Sequence, residues 1–424
     1  MATAKNSGGI FFGWWIVLGA TLVSIVSSGI GFYGHSVLLD PLVNRHGWSK
    51  GVISSAISLY FIASGFVGMI ISRFIDANGP RYVMVIGSLI FAFSLILLGV
   101  VRDVWHLFAV YILMAVGWSG TALIPINTLI TNWFVRKRGF AMSITMTGLS
   151  LGGIIMVPLA THMILQAGLK TTLFALGAIY CLVVIPPALT LFKRRPSDID
   201  QYPDGAPGPP RVSANGTSAA FALNIPIRKW TRLQAMRTPA FWSIVAAFLL
   251  ALTGQIAFLI HQVSFLSLTL GRSGAAAAVS ITASASVAGR LALGMAVDRY
   301  DKRFVTMGLF MLQAAGVLSM ALSSSIPVLY MGTLIFGLTM GSILMMQSLI
   351  TADCFGYLSF ATVSGLASLF VISGSAFGPM LAGVIYDTTE SYRSAFLLFV
   401  GMSVAAACAV YFAVPPKKGV KGLK

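Results

Sequence analysis

The chain has 424 residues, of which 57% are hydrophobic and 9% charged. A soluble protein of that length cannot hide so much apolar surface in its cores, which excludes a soluble enzyme and leaves a polytopic membrane protein. The net charge of +17 would suggest nucleic acid in a soluble chain. Here the basic residues lie in short loops between apolar runs, where they set topology and meet lipid headgroups, so no nucleic-acid partner is expected.

The N-terminal residues 1–11 carry only Lys5 and lack a signal-peptide pattern. The apolar run after them is too long for the core of a leader and is expected to remain as the first membrane helix. Six apolar spans follow one another at 12–38, 50–72, 81–100, 105–131, 138–166 and 170–192. Ser49, in Gly47-Trp48-Ser49-Lys50, is placed to cap the second helix. Residues 193–238 then break the pattern with Lys193-Arg194-Arg195 and the prolines Pro196, Pro203, Pro207, Pro209 and Pro210. Such a segment reads as a cytoplasmic linker, partly disordered. Its end, Arg228–Arg237, is basic with Trp230 and Leu233 interleaved and predicts a short interfacial helix. Six more spans lie at 239–269, 274–297, 303–323, 327–351, 357–386 and 392–414.

The prediction is an all-α membrane protein with twelve transmembrane helices in two six-helix bundles, 1–192 and 239–424, joined by the linker 193–238. With both termini cytoplasmic, only Arg45, Lys50, Arg102, Lys170, Arg272 and Arg393 fall on the outer side. Arg290 lies inside a span, and the rest of the 28 Lys and Arg lie inside the cell, as the positive-inside rule demands. The lack of a targeting segment and the compact loops point to a bacterial inner membrane. Cys181, Cys354 and Cys408 have neither disulfide nor metal-ligand spacing, so no metal is expected. No Walker motif or cofactor fingerprint is present, so no cofactor is expected either.

The two halves echo each other. Ser72-Arg73-Phe74-Ile75-Asp76-Ala77-Asn78-Gly79-Pro80-Arg81 follows the second span, and Gly294-Met295-Ala296-Val297-Asp298-Arg299-Tyr300-Asp301-Lys302-Arg303 follows the eighth. A six-plus-six arrangement with a repeated loop is the signature of a duplicated transporter. Asp76 and Asp298 precede helices, where the dipole favours a carboxylate. With Arg81 and Arg303 they are candidates for a cytoplasmic gate that breaks on inward opening.

The most telling residue is Arg290, alone among charges in Ser273–Val297. Burying a guanidinium in a span costs about 2.5–3.5 kcal/mol on insertion scales. Its simplest use is to hold an anion in a water-filled cavity. None of the 11 acidic residues lies mid-span, which argues against export of cationic drugs. One guanidinium best balances one carboxylate, bidentately. Around it, Tyr33, Tyr60, Asn127, Gln255, His261, Gln347 and Ser373 are candidate cavity-lining residues, and each is equally able to tie helices together. His35, near the outer end of the first span, is the candidate for proton coupling. No nucleophile–base pair is visible, so the chain is not read as an enzyme.

In these loops the chain resembles the major facilitator superfamily, with Ser72 and Asp301 standing where the motif usually has glycine. It is similar, more narrowly, to the monocarboxylate transporter and oxalate/formate antiporter branch. Three segments carry this: Phe12-Gly13-Trp14-Trp15-Ile16-Val17; His46-Gly47-Trp48-Ser49 with Ile53-Ser54; and Trp133-Phe134-Val135-Arg136-Lys137-Arg138-Gly139-Phe140-Ala141 with Thr147-Gly148 and Gly152. The resemblance implies that Arg290 binds a carboxylate. Eukaryotic members pair that arginine with an aspartate one turn earlier, where this chain has Ser286, and oxalate exchangers carry a second cation in helix eleven, which residues 360–386 lack.

The reading is therefore a secondary active transporter of small organic monocarboxylates, lactate- or pyruvate-like, proton-coupled or exchanging one anion for another. Its partners would be the carboxylate, a proton or counter-anion, and membrane lipid, with the protein a monomer. The alternatives are a dicarboxylate or oxalate-type anion exchanger and a non-transporting sensor on the same scaffold.

Overall fold

The computed structural model describes residues 11–134, 137–205, 230–297, 300–355 and 360–416, and every regular element among them is helical. Helix α1 (Gly13–Ser28) passes through a π-helical turn, Gly29–Tyr33, into α2 (Gly34–His46). There follow α3 (Lys50–Asn78), α4 (Pro80–Leu98), α5 (Val104–Ser119), α6 (Leu123–Trp133) and α7 (Arg138–Thr190). After the linker come α8 (Arg232–Met236), α9 (Pro239–Ala296), α10 (Lys302–Leu322), α11 (Ile326–Phe355), α12 (Phe360–Ser375), α13 (Gly378–Thr389) and α14 (Tyr392–Tyr411). Among the described residues 10 helical stretches are long and apolar enough to cross a membrane, so the protein is an integral membrane protein.

Local chemistry explains most of the boundaries. Gly79 ends α3 at φ +81°, and Pro80 opens α4, the positions where each residue type is favoured. Asp103, Thr238 and Ser391 cap α5, α9 and α14 through their side-chain oxygens. Ser49 caps α3 as its sequence context predicts, accepting the Val52 N–H at 3.3 Å. α7 and α9, of 53 and 58 residues, are each interrupted once, at Gly168 (φ +77°) and Gly271 (φ +69°). Only glycine adopts that backbone without strain, and both lie where the sequence predicts a break between spans. The first span runs on to His46 rather than ending at 38. Hydropathy falls at Asp40 and Pro41, yet the helix persists, and Asp40 is paired with Lys50 at 3.3 Å.

The chain divides into two compact units, Met1–His35 with Ala63–Ile225, and Ser36–Ile62 with Pro226–Lys424. This differs from a cut at the linker alone, because most of α2 and the start of α3 group with the C-terminal helices. In lipid the hydrophobic effect does not drive helices together, and close van der Waals approach at small residues takes its place. In the first unit Gly148 and Gly152 of α7 lie against Thr21, Ser24, Ile25 and Gly29, and Ser28 Oγ donates to the Leu149 carbonyl at 2.8 Å. Residues 193–205 are ordered, with Trp133 Nε1 donating to the Lys193 carbonyl at 2.9 Å and Asn132 Nδ2 to that of Arg194 at 3.1 Å. The rest of the predicted disordered stretch, 206–229, lies outside the described residues. In the second unit Phe241, Phe248, Phe310, Ile343, Phe355 and Val410 form one core, on which Trp230 before α8 and Ala235 within it also pack. Outward-facing side chains such as Leu18, Phe93, Leu182 and Phe304 are exposed, as lipid contact requires.

Candidate functional site

Arg290 sits where α9 crosses α11 at very short range. A Cβ on Gly289 would collide with the Leu338 backbone, and one on Gly337 would lie 2.6 Å from the Thr282 carbonyl oxygen. Gly341 leaves the same kind of gap for Ser286 Oγ, and its absent Cβ would also stand 3.2 Å from Arg290 Nη2. The half-buried Arg290 donates Nε–H to the Gly341 carbonyl at 3.3 Å. That bond fixes the plane of a five-donor fork. A fixed guanidinium edge matches one carboxylate or phosphate group bidentately. Ser286, where eukaryotic relatives of the resembled branch have aspartate, is 1% exposed.

Of the other predicted lining residues, Tyr60, Gln255, His261, Gln347 and Ser373 belong to the same unit as Arg290, whereas Tyr33 and Asn127, with the proton-coupling candidate His35, belong to the first. Gln255 Oε1 and Gln347 Nε2 are buried polar atoms without a hydrogen-bond partner among the described residues, and Asn127 Oδ1 is a third. Such atoms are costly unless water or a ligand meets them. Tyr60 is fully buried against Phe61, and Ser373 is half-buried. Tyr33 is buried in the π-helical turn, its ring edge-on to Phe32 at 5.3 Å. A π turn within an α-helix often marks a functional position. His35 is fully buried, its ring 5.6 Å from that of Tyr111.

His261 is fully buried and bonded on both ring nitrogens. Nδ1 lies 3.1 Å from the Tyr392 hydroxyl; Nε2 lies 3.0 Å from the Pro379 carbonyl and 3.1 Å from Ser54 Oγ. Tyr392 also accepts from Lys50 Nζ at 3.1 Å, and Asp387 accepts the Lys50 and Gly51 backbone N–H groups. Nothing in the sequence marks this cluster, where Lys50 has the position of a topology charge. Gln262, one residue on, donates to Thr282 Oγ1 at 2.7 Å and ties the two stretches of α9 together.

At the repeated loops, Asp298 and the side chain of Asp76 lie outside the described residues. Arg81 stands 5.8 Å from the Tyr82 ring centre. Arg303 pairs with Asp301 at 2.7 Å, while Lys302 reaches Asp353 of α11 at 2.8 Å. Hydrogen bonds from Arg303 hold the Asp301 carboxyl below the usual carboxylate range. Asp301, placed in the loop where the resembled motif has glycine, also accepts the Arg303 N–H and caps α10. The described residues hold no cluster of groups suited to a metal ion.

The family model of the Major Facilitator Superfamily matches residues 21–362 and 263–423. Among similar proteins, MFS transporter asaE of Aspergillus flavus is 26% identical over 96% of this chain and 87% of its own length. The oxalate:formate antiporter of Oxalobacter formigenes is 23% identical over 97% and 94%. Monocarboxylate transporter 12 of Rattus norvegicus is 23% identical over 91% and 82%. A solved bacterial homologue of the human lysosomal transporter Spinster, inward-facing and occupied, superposes with a TM-score of 0.68 at 16% identity, covering 95% of this chain and 96% of that one.

Proposed function

The chain belongs to the major facilitator superfamily, and on that premise we propose that it is a secondary transporter of small organic monocarboxylates. The observation that carries the reading is Arg290, a guanidinium within a span, held by its Nε on the Gly341 carbonyl. A single fixed cation, with Ser286 in place of a neighbouring carboxylate, balances one carboxylate and would leave a second one uncompensated. The likeness to a monocarboxylate transporter and to an oxalate:formate antiporter supports a carboxylate substrate.

In this reading α7 and α9 each cross twice. At 1.5 Å per residue, each is in total more than twice as long as the roughly 30 Å hydrocarbon core. Counting them so gives twelve spans, with both termini cytoplasmic as the basic loops require. Residues 1–192 and 239–424 would then be the halves that rock about a midplane site, with linker 193–238 between them. Gln255, Gln347, Asn127, Tyr33, Tyr60 and Ser373 would line the substrate path. The cytoplasmic turns bearing Asp76, Arg81, Asp298 and Arg303 would gate it. Transport would be proton-coupled, with His35 as one titrating candidate.

The likeness to an antiporter also favours anion exchange as a second mode. The test is counterflow of labelled lactate, pyruvate, formate and oxalate in proteoliposomes. Uptake of monocarboxylates that Arg290→Ala abolishes supports the reading. Counterflow of none of them, with folded protein, refutes it and leaves the sensor alternative.

A further inference from the structure

The contacts around His261 favour one arrangement of hydrogens, in which Ser54 Oγ, 3.1 Å from Nε2, accepts beside the Pro379 carbonyl. The Pro379 carbonyl can only accept, so Nε2, 3.0 Å away, carries the ring proton. Nδ1 is then a lone pair, and the Tyr392 hydroxyl donates to it at 3.1 Å. Lys50 Nζ donates to that hydroxyl oxygen at 3.1 Å and pairs with Asp40 at 3.3 Å. Lys50, Asp40, Asp387, Tyr386 and Arg272 line a cavity of about 460 Å³. A directed chain of hydrogen bonds therefore runs from this cavity to a fully buried imidazole: Lys50 to Tyr392 to His261.

We propose that His261 is a protonation site supplied from this cavity through Lys50 and Tyr392, and that taking up the proton releases α2 and the start of α3 from α9, α13 and α14. Tyr392 passes its hydroxyl proton to Nδ1 and takes one from the Lys50 ammonium, which water in the cavity re-protonates. The imidazolium then has two N–H donors and no acceptor. The Tyr392 oxygen now faces two donors, with positive charges on either side of one hydroxyl. The nearby carboxylates are already engaged, Asp40 with Lys50 and Asp387 with the first two backbone N–H groups of α3. The closed arrangement fits the neutral ring, so the proton favours separation. The charge pattern places this cavity on the outer side. On the reading of the chain as a proton-coupled carboxylate transporter, on which this inference rests for its role, His261 is where the driving proton enters.

The experiment reads the latch without relying on transport. In a background with Cys181, Cys354 and Cys408 replaced, Ser264→Cys reports opening, because Ser264 lines the cavity and is 1% exposed. Ser325→Cys, exposed between α10 and α11, serves as the reference that cancels the pH dependence of thiol reactivity. The ratio of their labelling rates by a membrane-impermeant maleimide is expected to rise roughly threefold or more between about pH 7.5 and about pH 5.5, below the one-proton ceiling of about tenfold per unit. His261→Gln should flatten the response, and Tyr392→Phe should raise the ratio at neutral pH and blunt the response. A flat wild-type ratio, or a wild-type response in His261→Gln, overturns the proposal. If His261→Gln does not fold, a full response in Tyr392→Phe overturns it. Failure of carboxylate counterflow with the pH response intact would refute the substrate reading and not this latch.

Discussion

Asp387 caps a helix that begins 337 residues before it. Its Oδ2 accepts the Gly51 N–H at 2.6 Å and its Oδ1 the Lys50 N–H at 3.0 Å, so the end of α13 closes the first turn of α3. A carboxylate there meets both the unsatisfied N–H groups and the positive end of the helix dipole. Asp387→Ala should lower unfolding stability by about 1–2 kcal/mol, the upper range for a lost cap. Asp387→Asn keeps one acceptor and should lose less. Thermal unfolding in detergent checks both, and unchanged midpoints for the pair would mean the cap adds nothing.

Arg290→Ala is expected to abolish carboxylate uptake while leaving the protein folded and inserted. Arg290→Lys should also transport poorly, since an ammonium neither forms a planar fork nor takes up the Nε bond to the Gly341 carbonyl. Initial uptake rates alongside a thermal-unfolding midpoint separate lost binding from lost fold. Wild-type rates in Arg290→Ala would remove the anion site altogether.

Gly341→Ala tests the crossing itself. The added methyl would meet Ser286 Oγ and stand 3.2 Å from Arg290 Nη2, so the arginine must shift or the helices part. Overpacking of this kind costs about 1–3 kcal/mol. The expected result is a raised KM for carboxylate with a lower unfolding midpoint. Gly294→Ala, where a Cβ meets nothing within 4 Å, should leave both unchanged.

These tests fall on features that were unequally legible in the sequence. Ser49, the Gly79-Pro80 junction and the glycine turns at 168 and 271 declare themselves, because capping and left-handed backbone restrict the residue types allowed. Arg290 was legible because an intramembrane charge is costly. Its partner Gly341 was not, since a backbone carbonyl leaves no mark on residue type. The His261 cluster was hidden for another reason. Tyr392 lies 131 residues away and Ser54 lies 207 away, and only the packing of α3, α9 and α14 brings them together. The π-helical turn at Gly29–Tyr33 left hydropathy unchanged and so gave no signal.

Acid should weaken the turn before α10 in one direction only. The folded Asp301 carboxyl lies below its unfolded value because of its hydrogen bonds with Arg303. Its contribution is therefore complete above about pH 5 and is lost as pH falls below about 4, toward the lowered value. The pair is partly exposed, so screening limits it to about 0.2–1 kcal/mol. The midpoint difference between wild type and Asp301→Asn should accordingly shrink on acidification and in high salt. A difference that grew in acid would contradict the assignment.

Transport is expected to respond to an inward proton gradient. A monocarboxylate anion moving alone would be driven out by an inside-negative potential, at about 2.3 kcal/mol per charge per 100 mV. Accumulation therefore needs a cation moving with it or an anion exchanged for it. Ser286 stands where the resembled branch carries an aspartate beside its arginine, which leaves the substrate and the histidines as the proton carriers to test. His35 is fully buried against Tyr111, whereas His261 is joined by hydrogen bonds to a cavity. The measurement is uptake at about pH 5.5 and about pH 7.5, the range over which histidine ordinarily titrates, with and without a protonophore, in wild type, His35→Gln and His261→Gln. Proton-driven uptake that survives His35→Gln and fails in His261→Gln assigns the coupling to His261, and the reverse pattern assigns it to His35. Uptake that ignores pH and protonophore but rises when vesicles are preloaded with a second carboxylate makes the protein an exchanger and refutes proton coupling. In that case the latch around His261 would set only the pH range over which exchange proceeds.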